Sequence, residues 1–79
     1  MRNCADATKK WKDLEYCLLQ NNLVAAAKHA ATLLDYLNKG GEPPRLEEYP
    51  GISRYSDLRT VVSKNTCEWI VAGGCRSHQ

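Results

Sequence analysis

The chain has 79 residues, 43% of them hydrophobic and 25% charged, and a formal net charge of +2. A chain of this length and composition is expected to fold as one small domain, and the profile excludes a disordered segment. The charge is too small to mark a nucleic-acid or anionic-membrane binder by itself, and no apolar run approaches the ~20 residues that cross a bilayer.

Residues 1–5 are expected to form a tail. Asp6 is a fair N-cap for a first helix over residues 7–20, ATKKWKDLEYCLLQ. On a wheel of about 100° per residue, Ala7, Trp11, Leu14 and Leu18 line one stripe, with Cys17 at its edge. Lys9, Lys12 and Tyr16 face away, and Leu19 also falls outside the stripe, which points to a second contact. Asp6 and Lys10 form an i,i+4 pair. Only Asn21-Asn22 separate this helix from the next, so the two must pair as an antiparallel hairpin.

The second helix, over residues 22–39, is the clearest in the chain. Leu23, Ala26, Ala27, Ala30, Leu33, Leu34 and Leu37 share one face, and Val24, Lys28, Thr32, Asp35 and Lys39 the other. Asn22 can cap the start, and Asn21 can take a left-handed turn. Gly40-Gly41 stop the helix, and Pro43-Pro44 prevent its continuation. Asp35 and Lys39 form an i,i+4 pair in the better orientation. The apolar stripe is small at its N-terminal end and large at its C-terminal end. Antiparallel pairing then sets Leu18 against Ala26 and Ala27, and Trp11 against Leu33, Leu34 or Leu37.

Trp11-x2-Leu14, a tight turn and an Ala-rich second helix resemble a single tetratricopeptide hairpin, over about 30 of that family's 34-residue repeat. Trp11, Leu14 and Ala26 fit its pattern. Glu15 stands where the family has a small Gly, the aromatic of the family's second helix is missing, and the turn is about one residue short. No second copy follows. The resemblance implies a packed helical hairpin, reached by convergence.

Residues 41–52, GEPPRLEEYPGI, read as a long connection stiffened by Pro43, Pro44 and Pro50, with a turn at Pro50-Gly51. Leu46, Tyr49 and Ile52 are apolar enough to pin it across the open end of the hairpin, as a crossover laid along the bundle. A Pro-rich docking peptide is disfavoured because PPRLEEYP lacks full PxxP spacing.

The segment 56–72 is expected to be a third helix with Ser56 as N-cap, ended by Gly73-Gly74 and followed by a tail over residues 73–79. Leu58, Val61, Val62, Asn65, Trp69 and Ala72 then share one face, which is expected to be the buried one. The alternative is a β-hairpin pairing 59–62 with 66–71, since Thr, Val, Ile and Trp favour strands. A lone hairpin is marginally stable, whereas a third helix completes a bundle. The fold expected is therefore all-α: a small three-helix bundle built on an N-terminal antiparallel hairpin, with a helical hairpin plus a C-terminal β-hairpin as the alternative.

Four cysteines invite a metal, but strong zinc signals have two close ligand pairs. Here the only close pair is Cys75 and His78, so Cys17, Cys67, Cys75 and His78 could meet only if the tail folds back. The expectation is no metal and no cofactor, with the cysteines as reduced thiols of a cytoplasmic protein. No signal-peptide core follows Met1-Arg2-Asn3. His29 has no acid among its helical neighbours, and Asp13, Glu15, Asp35, Asp57 and Glu68 are spread singly, so no acid–base dyad is visible. No phosphate loop, G-x-S-x-G or H-E-x-x-H is present. Arg54, Arg59 and Lys64 read as a solvated face; the 41–52 connection is too long for a helix-turn-helix, and Glu47-Glu48 argue against phosphate contact.

These observations point to a non-catalytic module acting through its surface, on a protein partner or on a second copy. A small DNA-associated regulator and a metal- or thiol-dependent activity are the alternatives, and no membrane is involved. Two apolar pairs are left over once the bundle is built, Tyr16 with Leu19 and Ile70 with Val71. His29 and Tyr36 add an amphipathic flank on the second helix.

Overall fold

The computed structural model describes residues 3–73. It is all-α, with helices α1 (Cys4–Leu19), α2 (Leu23–Asn38), α3 (Pro50–Ser53) and α4 (Ser56–Val71), and no strand among the described residues. The last segment is therefore helical, as expected, and not the alternative β-hairpin.

The caps explain the boundaries. Asn3, not Asp6, caps α1: its side chain accepts the Asp6 backbone N–H at 3.1 Å. The helix thus starts three residues earlier than expected, Cys4 is helical rather than part of a tail, and Asp6 lies in the first turn, where its charge suits the helix dipole. Asn21 takes the left-handed conformation at φ 58°, and Asn22 caps α2 by accepting the Ala25 N–H at 3.3 Å. Gly40, at φ 86°, ends α2, and Gly73, at the same angle, ends α4. The N-cap of α4 is Tyr55 rather than Ser56, with no side-chain bond to the cap.

α2 is the central element. It packs along α1 on one side and along α4 on the other, whereas α1 and α4 make no comparable contact with each other. Arg59, one turn into α4, is bonded to Glu42 just past the end of α2, so α4 runs back antiparallel to α2. Ala26, Ala30, Leu33 and Leu37 of α2 are buried with Ala7, Trp11 and Leu14 of α1 and with Cys67 and Ile70 of α4. Leu18, Ala27 and Leu34 pack at the edge of the same cluster. Each fully buried leucine contributes roughly 1.5–3 kcal/mol by leaving water.

The gap between α1 and α4 is closed by the connection, whose Pro43, Pro44 and Leu46 are buried. It does not merely cross the open end of the hairpin; it runs along α1. Cys4 Sγ donates to the Pro43 carbonyl at 3.3 Å, and the Arg45 N–H donates to Thr8 Oγ1 at 2.9 Å. Lys12 Nζ pairs with Glu47 Oε1 at 2.8 Å, and the Glu15 carboxyl lies next to that of Glu48. The partners advance by about one helical turn on α1 for every two residues of the strap. Past Leu46 the strap turns, the Tyr49 N–H donating to the Leu46 carbonyl at 2.9 Å. Tyr49, expected to help pin the connection, is exposed instead, whereas Ile52 packs against the core.

The face that α4 buries is the main correction. Leu58, Val61, Asn65, Trp69 and Ala72, expected inside, are exposed, and Val62 is half-buried. The buried residues are Ser63, Cys67 and Ile70, with the half-buried Arg59 at the edge of the same face. Most polar groups on this face are paired, although Arg59 Nε is buried with no hydrogen-bond partner among the described residues. The Ser63 hydroxyl donates to the Arg59 carbonyl at 2.6 Å, and Thr66 donates to the Val62 carbonyl at 2.8 Å. Arg59 donates from Nη2 to Glu42 Oε1 at 3.1 Å and from Nη1 to the Ser53 carbonyl at 3.2 Å. With its side chain 15% exposed, that guanidinium fixes the rotation of α4 at its first turn.

Candidate interaction surface

Turning α4 this way leaves a row of apolar side chains on its outer face. Leu58, Val61 and Trp69 are 45%, 52% and 53% exposed. Together with Asn65 and Ala72 they fall within about 80° of the helical wheel, over about 21 Å of helix. The spacings of 3, 4, 4 and 3 residues are those of a helix face that packs against another helix. Val62 extends the row at its inner edge, half-buried against the core. Lys64 and Glu68 lie on one flank, and neither takes part in the ion pairs found among the described residues. A half-exposed Trp in line with Leu and Val is the kind of contiguous apolar surface that marks contact sites, and Trp is enriched among the residues that dominate binding energy.

The other anticipated surface residues do not assemble into one site. Tyr16 and Leu19 are exposed near the hairpin turn, as is Val24 of α2. Ile70 is not a surface residue: the rotation of α4 buries it at 4% exposure, so it cannot form a patch with Val71. Val71 is exposed but stands about 120° from the centre of the α4 row. His29 is half-buried with its Nδ1 3.2 Å from Lys10 Nζ. Tyr36 packs against the core with its ring beside Gly41, and burial is the main cause raising its phenol above the usual range.

Of the chemistry-bearing groups, Cys4, Tyr36, Glu42 and Arg59 line one open cleft, where Arg59 is paired with Glu42. Cys17 is half-buried on α1 and Cys67 is buried on α4, and burial first, with Glu68 second, pushes the Cys67 thiol up to about 11. Cys75 and His78 lie outside the described residues. Among the described residues no three His, Cys, Asp or Glu side chains gather in a way that could hold a metal. Arg59 points inward to Glu42, which removes it from any basic face with Arg54 and Lys64. One grouping escaped the sequence altogether: Glu15 and Glu48 meet across the strap. Burial raises the Glu15 carboxyl, and the neighbouring Glu48 raises it further. Nothing in their 33-residue separation announces that contact.

No family model matches the chain, and no curated protein and no solved structure matches it either.

Proposed function

We propose that this chain is a non-catalytic protein-interaction module and that the outward row of α4 is its contact surface. One observation carries this: Leu58, Val61 and Trp69 form a helix-spaced apolar face that no other described element covers. Leaving three such side chains half in water forgoes part of the roughly 1.5–3 kcal/mol that full burial of each would contribute. A partner recovers that energy. Support for a non-catalytic role comes from the pairing of the groups that do share a cleft: Cys4, Tyr36, Glu42 and Arg59 line one open cavity, but Glu42 is held by Arg59 and Cys4 donates to the Pro43 carbonyl, and His29 lies elsewhere beside Lys10. A cytoplasmic setting fits the three described cysteines, all free thiols. No helix of the described residues is long and apolar enough to cross a membrane.

The test is photo-crosslinking in the cell from a benzophenone side chain placed at Val61, with Thr32, exposed on the outer side of α2, as control. A discrete higher-mass band from position 61, absent from position 32 and lost when Trp69→Ala is added, is the expected result. Equal labelling from both positions, or none from position 61, refutes the assignment.

A further inference from the structure

The outer row of α4 is symmetric about Asn65. Val61 and Trp69 stand four residues on either side of it, and Leu58 and Ala72 seven. A two-fold axis at the level of Asn65 would therefore set large against small: Val61 opposite the partner's Trp69, and Leu58 opposite the partner's Ala72. Self-complementarity of this kind is what an isologous contact requires. Val61, Asn65 and Trp69 also form one i±4 row, the ridge most often used to pack helix on helix. Asn65 itself, exposed at the axis, carries both a donor and an acceptor and can bond its own copy. A single polar residue in an apolar seam fixes register.

Charge selects the direction. Lys64 and Glu68 lie on the same flank of the row, and in an antiparallel two-fold pair like flanks meet. Lys64 precedes the axis by one residue, and the partner's Glu68 falls three residues to the same side, so the two are about 3 Å apart along the helix. The contact occurs twice by symmetry. A parallel pair would instead bring the Lys64 and Glu68 flank against the flank of Val62 and Thr66, which carries no opposite charge to meet it. We propose that the occupant of the α4 row is a second copy of this chain, docked antiparallel with Asn65 on the two-fold axis; this rests on the reading of that row as the contact surface. A face one helix wide and about 21 Å long covers on the order of 400 Å² per copy, half the ~800 Å² of a standard interface. The pair is therefore reversible, and forms at high chain concentration.

Sedimentation equilibrium of the purified chain, from micromolar to millimolar, tests this. The mass should rise from 8.9 kDa toward twice that value. Trp69→Ala should weaken association about tenfold or more, as loss of a central aromatic does. Lys64→Glu alone should also weaken it, and Lys64→Glu with Glu68→Lys should restore it. Circular dichroism checks the fold of each variant, and if Trp69→Ala unfolds, Val61→Lys on the same ridge takes its place. A monomer at every concentration, or a dimer indifferent to Trp69→Ala or its replacement, overturns self-docking. A dimer not restored by the double charge exchange overturns the antiparallel arrangement. The outcome in cells separates the two levels: a monomer that still crosslinks from position 61 to a protein of another mass overturns the second copy and keeps the contact surface. A monomer that crosslinks to nothing overturns both.

Discussion

Trp11 is 6% exposed, in the core between α1 and α2, yet its indole Nε1 has no hydrogen-bond partner among the described residues. Two effects therefore oppose each other at one side chain. Removing the ring, Trp11→Ala, loses its burial and opens a cavity, a loss of roughly 3–5 kcal/mol in general. The same substitution also removes an unsatisfied buried N–H, whose cost is roughly 1–3 kcal/mol. The net loss for Trp11→Ala is expected near 2–3 kcal/mol, below the usual range. Trp11→Phe separates the two contributions: most of the apolar volume stays and the N–H goes. Its volume loss of about 1–2 kcal/mol is met by a relief of similar size, so the variant should lie within about 1 kcal/mol of the parent. Urea unfolding followed by far-ultraviolet circular dichroism measures both, with an unchanged slope as the check that only the native state has altered. A Trp11→Phe variant that loses as much as Trp11→Ala would refute the reasoning, because it would mean that Nε1 is bonded and contributes to stability.

Further predictions follow from the strap and from the inner face of α4. Glu42→Ala leaves the guanidinium of Arg59 with the Ser53 carbonyl alone and should cost about 1–2 kcal/mol in urea unfolding, less than a fully buried pair because Glu42 is half exposed. Cys67 should resist thiol labelling in the native protein far longer than Cys4 or Cys17, and its labelling rate should climb steadily with pH toward about 11; rapid labelling at pH 7 would show that α4 does not bury it. Because the folded Glu15 carboxyl is raised, its contribution to stability is fully present below the ordinary carboxylate range, near 4.5, and is lost as pH rises through the raised value. Glu48→Gln removes the like-charge part of that shift and should add less than ~1 kcal/mol at pH 7 after solvent screening, with no gain below pH 4; a gain of equal size at both pH values would contradict the Glu15 contact.

The hairpin was legible in the sequence because local and tertiary signals agree there. The stripe of α2 has a clean period, Asn21 and Asn22 can do little else than turn and cap, and Gly40 can end a helix at positive φ. The start of α1 was misplaced because Asn3 and Asp6 are both competent caps, and only the bond from the Asp6 N–H to the Asn3 side chain decides between them. That the connection lies along the bundle was legible; its particular partners on α1 were not. Its sequence gives no period, and its contacts with α1 depend on the course of the whole segment beside that helix, which no single residue encodes. The Glu15–Glu48 pair, created by that course, was invisible for the same reason.

α4 shows the limit of reading a face from hydropathy alone. The row Leu58, Val61, Asn65, Trp69 and Ala72 has the spacing of a core, and burying its three large side chains would gain several kcal/mol. The structure buries Ser63 and Cys67 instead. Their small size lets the backbone of α4 approach α2, and the Ser63 hydroxyl is already satisfied within its own helix. Arg59 then holds the rotation by bonding Glu42 and the Ser53 carbonyl, groups that an inverted α4 would leave behind. An inverted helix would also carry this guanidinium into solvent and push Trp69 into a space shaped for a thiol. The inner face is thus selected by fit and by one ion pair, and the outer face keeps its apolar spacing without serving the fold. A sequence that needed α4 only for packing would lose little stability with polar residues at Val61 and Trp69, each about half exposed. Lysine at both positions, Val61→Lys with Trp69→Lys, should accordingly cost the monomer no more than about 1–2 kcal/mol in urea unfolding, because each side chain is already about half exposed. A loss of several kcal/mol would place these side chains in the core and remove the basis for an outward contact face.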